Sequence, residues 1–293
     1  MTGPSSDRIL GLSPRARRVV VPLLLVAVLV IVVGTLLTQR SSGGSGDVAT
    51  TDSGPLVGSD LHAVAGSAGR LFVAGHGGAG YRDPSGGWRQ IESLANKDVM
   101  GWAAADGRLL AGGHEGLYAS TDDGATFDQV AGLPVSDAHG LGGAGEVIYL
   151  SAPEGGVFVS ADGGETFEER APQRGDIMGT IWVDPSDSDV AIASSMRDGA
   201  VKTTDGGRTW TALGSGTGSM SVAVGEGGVD LFVIGTGDAQ VSTDGGTDWA
   251  SAAIPGGTSA AFYTAEGKLV VAALDGDRAD VYEQVGTQWD PLS

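Results

Sequence analysis

TTDGGRTW, running from Thr203 to Trp210, decides the fold, because near-copies of it recur along the chain. STDDGATF occupies Ser120 to Phe127, SADGGETF Ser160 to Phe167, and STDGGTDW Ser242 to Trp249, at a spacing of roughly forty residues. Self-similarity at this period means stacked supersecondary units, each unable to bury its apolar face alone. Aligning on the closing aromatic adds two degenerate copies. YRDPSGGW (Tyr81 to Trp88) keeps Asp83, Gly87 and Trp88, and YEQVGTQW (Tyr282 to Trp289) keeps Gly286 and Trp289. Each unit also opens alike, as DLHAV at Asp60, DVMGW at Asp98, DAHGL at Asp137 and DIMGT at Asp176, then GSMSV at Gly218 and TSAAF at Thr258. Short alternating apolar runs such as RLFVAG (Arg70 to Gly75) fill the interval and read as strands. The expectation is an all-β, six-bladed β-propeller of four-stranded antiparallel blades over residues 55–293, a closed ring that leaves only short edges.

The stretch upstream has a different character. Residues 19–37, VVVPLLLVAVLVIVVGTLL, carry no charge and are long enough as a helix to cross a bilayer. Arg8, Arg15, Arg17 and Arg18 precede them, so the positive-inside rule places residues 1–18 in the cytoplasm and the ring outside the cell. A cleaved signal peptide is the rival reading; the run exceeds a usual h-region and no A-x-A-like site follows it. Residues 38–54, with SSGGSG at Ser41 to Gly46, read as a flexible tether.

Composition limits the chemistry. There is no cysteine, which excludes disulfides, thiolate metal sites and thiol catalysis. With 36 Asp+Glu against 17 Lys+Arg, the formal net charge is -19, so nucleic acid is excluded as a partner and cations or basic partners are favoured.

Within each box the aspartate, Asp122, Asp162, Asp205 or Asp244, is placed to accept backbone N–H bonds in its own hairpin. Gly124, Gly164, Gly207 and Gly246 permit the turn, and Phe127, Phe167, Trp210 and Trp249 point into the core between blades. On these residues the chain resembles the sialidase-like Asp-box propellers, also called bacterial neuraminidase repeats. The resemblance implies boxes on the turn between third and fourth strands, away from the active face. It does not carry sialidase activity. The family's arginine cluster, tyrosine nucleophile with its glutamate, and acid/base aspartate find no matching residues here, because the ring's arginines fall in strand turns and hairpins.

A second pattern emerges when histidine and methionine are laid on the repeat. The openers give His62, Met100, His139 and Met178, with Met220 equivalent in the fifth unit and Ala260 in the sixth; the ends of second strands give His76, His114 and Met196. These are all four histidines and every methionine except Met1. In a propeller both positions lie at one mouth of the channel, the boxes at the other. Imidazole and thioether together select copper, with zinc second. Asp60, Asp98, Asp137 and Asp176 stand two residues before each opener His or Met, on the same side of the strand, and form an acidic ring that attracts cations and orients imidazoles, unless each merely caps its own loop. A plug of flexible methionines with polar neighbours is the alternative for the whole set.

Three functions stay open. The expected one is a membrane-anchored extracellular binding module, non-catalytic, holding copper or another metal ion, or an extracellular protein or glycan, at its mouth. A glycoside hydrolase acting on extracellular glycans would draw on Glu115, Glu154, Asp198 or Asp238 for its acid and base. An assembly scaffold for membrane proteins is the third, since the TTDGGRTW-type boxes also resemble those of the photosystem-assembly propellers.

Overall fold

The computed structural model describes residues 54–216, 218–236 and 238–292, all within one compact unit. The expected cytoplasmic segment, the apolar run over 19–37 and the tether through Ser53 lie outside the described residues. Among the described residues no helix is long and apolar enough to cross a membrane.

The described chain is a succession of four-stranded antiparallel sheets. In the first, Leu61–Ser67, Arg70–Gly75, Gly78–Arg82 and Trp88–Gln90 pair in sequence order. The same order repeats behind first strands at Val99–Ala105, Gly140–Ala144, Ile177–Val183, Ser219–Val224 and Thr258–Tyr263. Each first strand contacts the first strand of the following sheet, and Thr258–Tyr263 returns to Leu61–Ser67, so the succession closes on itself as a propeller. Two first strands come close enough to hydrogen-bond in parallel, at Gly179↔Gly140 and Thr180↔Leu141. Glycine allows this approach: a Cβ on Gly142 would sit 2.2 Å from the Ile181 carbonyl oxygen.

Closure is secured by the chain's two ends. Leu56 bridges Arg278, Ala279 N–H donates to Pro55 O at 3.1 Å, and the Trp88 indole donates to Leu292 O at 3.1 Å. Packing is between neighbouring sheets. Phe72, Tyr81, Trp102 and Phe127 form one such layer, with Phe72 and Trp102 ring centroids 5.4 Å apart and Trp102 and Phe127 5.9 Å apart. Aromatic layers of this kind carry much of the apolar burial that holds a sheet to its neighbour.

The box turns are knitted by side chains as well as by the carboxylate. Asp122 Oδ1 accepts from the backbone N–H groups of Ala125 (3.1 Å) and Thr126 (2.9 Å), and Oδ2 from the Thr126 hydroxyl (2.6 Å). Ser120 donates to the same carboxylate at 2.7 Å and accepts from Gly124 N–H at 2.9 Å. Asp162 and Asp205 repeat the arrangement, and Asp244 keeps its backbone and Ser242 bonds without the threonine hydroxyl, because Asp248 takes that place. The bonds from Thr126 and Ser120 hold the Asp122 carboxyl down to about 2, and equivalent bonds do so for Asp162 and Asp205.

Arginines lock three of the four boxes to the sheet before, a role the repeat alone does not disclose. Arg70 of the first sheet donates to Asp123 O in the second sheet's box at 2.7 Å, Arg108 to Gly163 O in the third, and Arg170 to Gly206 O in the fourth at 2.6 Å.

Candidate metal centre

Four first strands begin with a β-bulge, and the bulge positions the site. Pairing runs Leu61↔Gly75 then Ala63↔Ala74, leaving His62 as the extra residue, and the same slip leaves Met100, Met220 and Ser259 extra in the second, fifth and sixth sheets. An extra residue bends the strand and re-aims its side chain. The sixth equivalent of His62 is therefore Ser259, not Ala260, which is fully buried in the sheet. His76 follows the end of the second strand, where its N–H donates to Asp60 O at 3.0 Å, so opener and second-strand end meet at one mouth. The box of the second sheet takes Arg70 from the far end of the first sheet's opening hairpin, and so lies at the opposite end.

Three of the four histidines converge around one carboxylate, and the fourth adjoins them through His114. Asp98 Oδ1 lies 3.2 Å from His62 Nε2, and Asp98 Oδ2 lies 2.9 Å from His76 Nδ1 and 2.8 Å from His114 Nδ1. His114 Nε2 is 2.9 Å from His139 Nε2, which is 3.1 Å from Asp137 Oδ1. Two ligand-type groups result, each with its donor atoms within 4.8 Å of one another: His62, His76 and Asp98, then His114, Asp137 and His139.

The carboxylate contacts have the distances of hydrogen bonds without their directions, whereas His114 and His139 share a hydrogen bond whose donor is set by the tautomer. Both Asp98 oxygens, His62 Nε2 and Asp137 Oδ1 are buried and have no hydrogen-bond partner. Buried polar atoms without partners cost free energy, and a native structure tolerates them where something else binds there. Donors sharing one ion at about 2.0–2.1 Å stand about 3–3.4 Å apart, close to the separations seen. The Asp98 side chain is 6% exposed and that of His62 10%, whereas His76 and His114 are about half open to solvent, which leaves an entry path.

The protonation states suit ligation. Burial works to raise the Asp98 carboxyl, but the His62 contact and the positive fields of His62, His114 and His76 outweigh it and hold it below its ordinary value. Burial lowers His139, against the pull of Asp137, favouring the neutral ring that binds metal.

The remaining predicted residues are placed unequally. Met100 is a buried bulge residue, Met178 and Met220 are half-buried at the starts of the fourth and fifth first strands, and Met196 is 48% exposed. The groups drawn together offer nitrogen and oxygen rather than thioether sulfur. Nor is the acidic ring uniform. Asp60 is exposed and accepts from Leu61 N–H at 3.0 Å, the loop cap considered for all four. Asp176 sits in an ion-pair network instead, 3.0 Å from Arg174 and 3.1 Å from Arg197, with Ser195 donating to it. Asp98 serves as the hub of the imidazoles rather than a partner behind them. Arg174 and Arg197 were legible only as turn residues.

The hydrolase candidates fare differently. Asp198 accepts from Arg174 at 2.7 Å and from Arg197 at 3.5 Å, and these bonds hold its carboxyl below the ordinary value. Glu115, Glu154 and Asp238 are exposed.

No protein-family model matches the chain, and no curated protein matches it in sequence. Solved structures match its fold. A GH74 xyloglucanase from Xanthomonas campestris superposes with a TM-score of 0.56 at 17% identity, covering 85% of this chain and 46% of its own. The chain thus spans less than half the length of that enzyme. A chain of a nidogen/laminin complex gives 0.63 at 12% identity, covering 76% of this chain and 92% of its own. YCF48 from Cyanidioschyzon merolae gives 0.54 at 14%, covering 83% and 88%. At these identities the likeness shows the propeller fold alone.

Proposed function

We propose that this chain is a six-bladed Asp-box propeller, tethered outside the cell by residues 19–37, that binds a divalent transition metal at one mouth without turning over a substrate. The carrying observation is the convergence of His62, His76 and His114 on Asp98, whose two buried oxygens accept no hydrogen bond, with His139 joined to them through His114. Cu(II) is our first assignment, because imidazole and carboxylate suit it and it binds most tightly among first-row divalent ions at such donors. Zinc stays second. The acidic surface raises the local cation concentration and supports the same reading.

The hydrolase alternative has a fold relative but lacks a general acid. Asp198, bonded to two guanidinium groups, is held anionic, and Glu115, Glu154 and Asp238 are exposed on the surface.

Competition titration of the full-length chain with Cu(II) tests the reading. Replacing His62 and His139 together by alanine removes one imidazole from each group and abolishes tight binding while the thermal transition persists. Unchanged affinity in the double variant removes the metal function.

A further inference from the structure

The two ligand groups adjoin, because His114 of the second group also faces Asp98 of the first. His114 Nδ1 faces Asp98 Oδ2 at 2.8 Å, beside His76 Nδ1 at 2.9 Å from the same oxygen. Its other nitrogen, Nε2, faces His139 Nε2 at 2.9 Å, beside Asp137 Oδ1. A five-membered ring carries its two lone-pair directions outward on different edges, so the two nitrogens address two different points in space. From this we infer that the mouth holds two divalent metal ions, bridged through the His114 imidazole: one on His62, His76, Asp98 and His114 Nδ1, the other on His114 Nε2, His139 and Asp137. The inference rests on the metal-binding reading above.

Protons alone do not account for the cluster. A neutral imidazole has one N–H. If His114 donates from Nε2, its Nδ1 lone pair is pressed against a carboxylate. If it donates from Nδ1, Asp98 Oδ2 should accept, and that oxygen accepts from no group. Two cations resolve every close approach at once, including the Asp98, Asp137 and His62 atoms that lack partners. The charges are also reasonable: two carboxylates and a bridging imidazolate bring three negative charges against four positive. Bridging through both nitrogens requires the His114 ring to release its remaining N–H proton to solvent as the second ion binds. Neither ion changes oxidation state.

The test loads the full-length chain with Cu(II) and reads stoichiometry by elemental analysis and spin by electron paramagnetic resonance. An imidazolate bridge couples two Cu(II) spins antiferromagnetically. The first equivalent should therefore give an ordinary signal, and the second should diminish it instead of doubling it. His114→Ala should hold one ion, on His62, His76 and Asp98, with the full signal of an isolated Cu(II). His139→Ala, which leaves His114 in place, should also fall to one ion with an undiminished signal, and far-UV circular dichroism melts confirm that both variants fold. Two ions with the signal of two isolated spins, or two ions retained in His114→Ala, overturn the bridge. One ion in the unaltered chain also overturns it and leaves the metal-binding module standing. No bound ion overturns both.

Discussion

Asp122 and Asp98 occupy opposite ends of the same sheet and show two uses of a carboxylate. Asp122 is exposed, yet its oxygens accept from two backbone N–H groups and two hydroxyls of its own turn. Asp98 is buried, faces three imidazoles and accepts no hydrogen bond. A saturated acid on the surface is a fastener, since local structure already consumes all its lone pairs. On the proposed reading an unsaturated acid in the interior is open to a cation, since the fields of the surrounding imidazoles already favour its charged form. The difference lies in satisfaction rather than in exposure or sequence context.

The sharpest way to break this contrast is to neutralise each carboxylate in turn. Asp98→Asn removes the charge at the hub and should weaken Cu(II) binding by at least about 100-fold, the upper range for disturbing a ligand's support. Asp122→Asn should do the reverse, lowering the midpoint and leaving Cu(II) affinity alone. If both variants lose metal equally, the two ends are not functionally distinct.

A second experiment concerns the turn that Asp122 fastens. Gly124 has φ +81°, and a Cβ there would stand 2.4 Å from Phe72 Cε1 in the core between first and second sheets. Gly124→Ala should cost about 2–3 kcal/mol from backbone strain and overpacking, measured by denaturant unfolding. Metal affinity at the far mouth should not change.

Acid titration separates the fasteners from the rest. Asp122, Asp162 and Asp205 have folded values of about 2, below the ordinary 3.8. Their contribution is fully present above about pH 4 and is lost as pH falls through the folded value. The midpoint should therefore drop between about pH 4 and pH 2, with a smaller drop in Asp122→Asn. Since all three groups are exposed, solvent screening makes each step modest. An equal drop in the variant would mean that Asp122 contributes nothing to its turn.

How much of this was legible depends on whether the signal is local. The box is local: its donors and acceptor lie within seven residues, so its architecture and the fastening role of Asp122 follow from spacing. The gathering of His62, His76, His114 and His139 at one mouth also follows, because topology returns the second-strand ends to the first-strand openers. What the repeat conceals is inequality among its copies. Asp60, Asp98, Asp137 and Asp176 look equivalent in sequence, yet Asp60 caps a loop, Asp98 gathers imidazoles and Asp176 pairs with arginines. Each outcome is set by residues from a neighbouring strand end, His76 and His114 in one case and Arg197 in another. The bulge that makes Ser259 the true sixth equivalent is likewise a matter of pairing, which composition does not encode.

Asp176 therefore provides the control inside the mouth itself, and the smallest effect. Arg174 is largely buried and contacts both Asp176 and Asp198, so its guanidinium fixes two carboxylates at once. Arg197 reaches the same two acids from solvent, with more than half of its side chain exposed. Exposed pairs contribute about 0–1 kcal/mol, and removing one member of a buried pair costs about 3 kcal/mol or more. Arg197→Ala should accordingly shift unfolding by under about 1 kcal/mol, with the shift shrinking further in high salt because the pair is screened. Arg197→Ala should leave Cu(II) affinity at the histidine cluster unaltered. If Arg197→Ala instead weakened Cu(II) binding, the arginine network would be part of the centre, and the mouth would have to be treated as one coupled site spanning the second and fourth sheets.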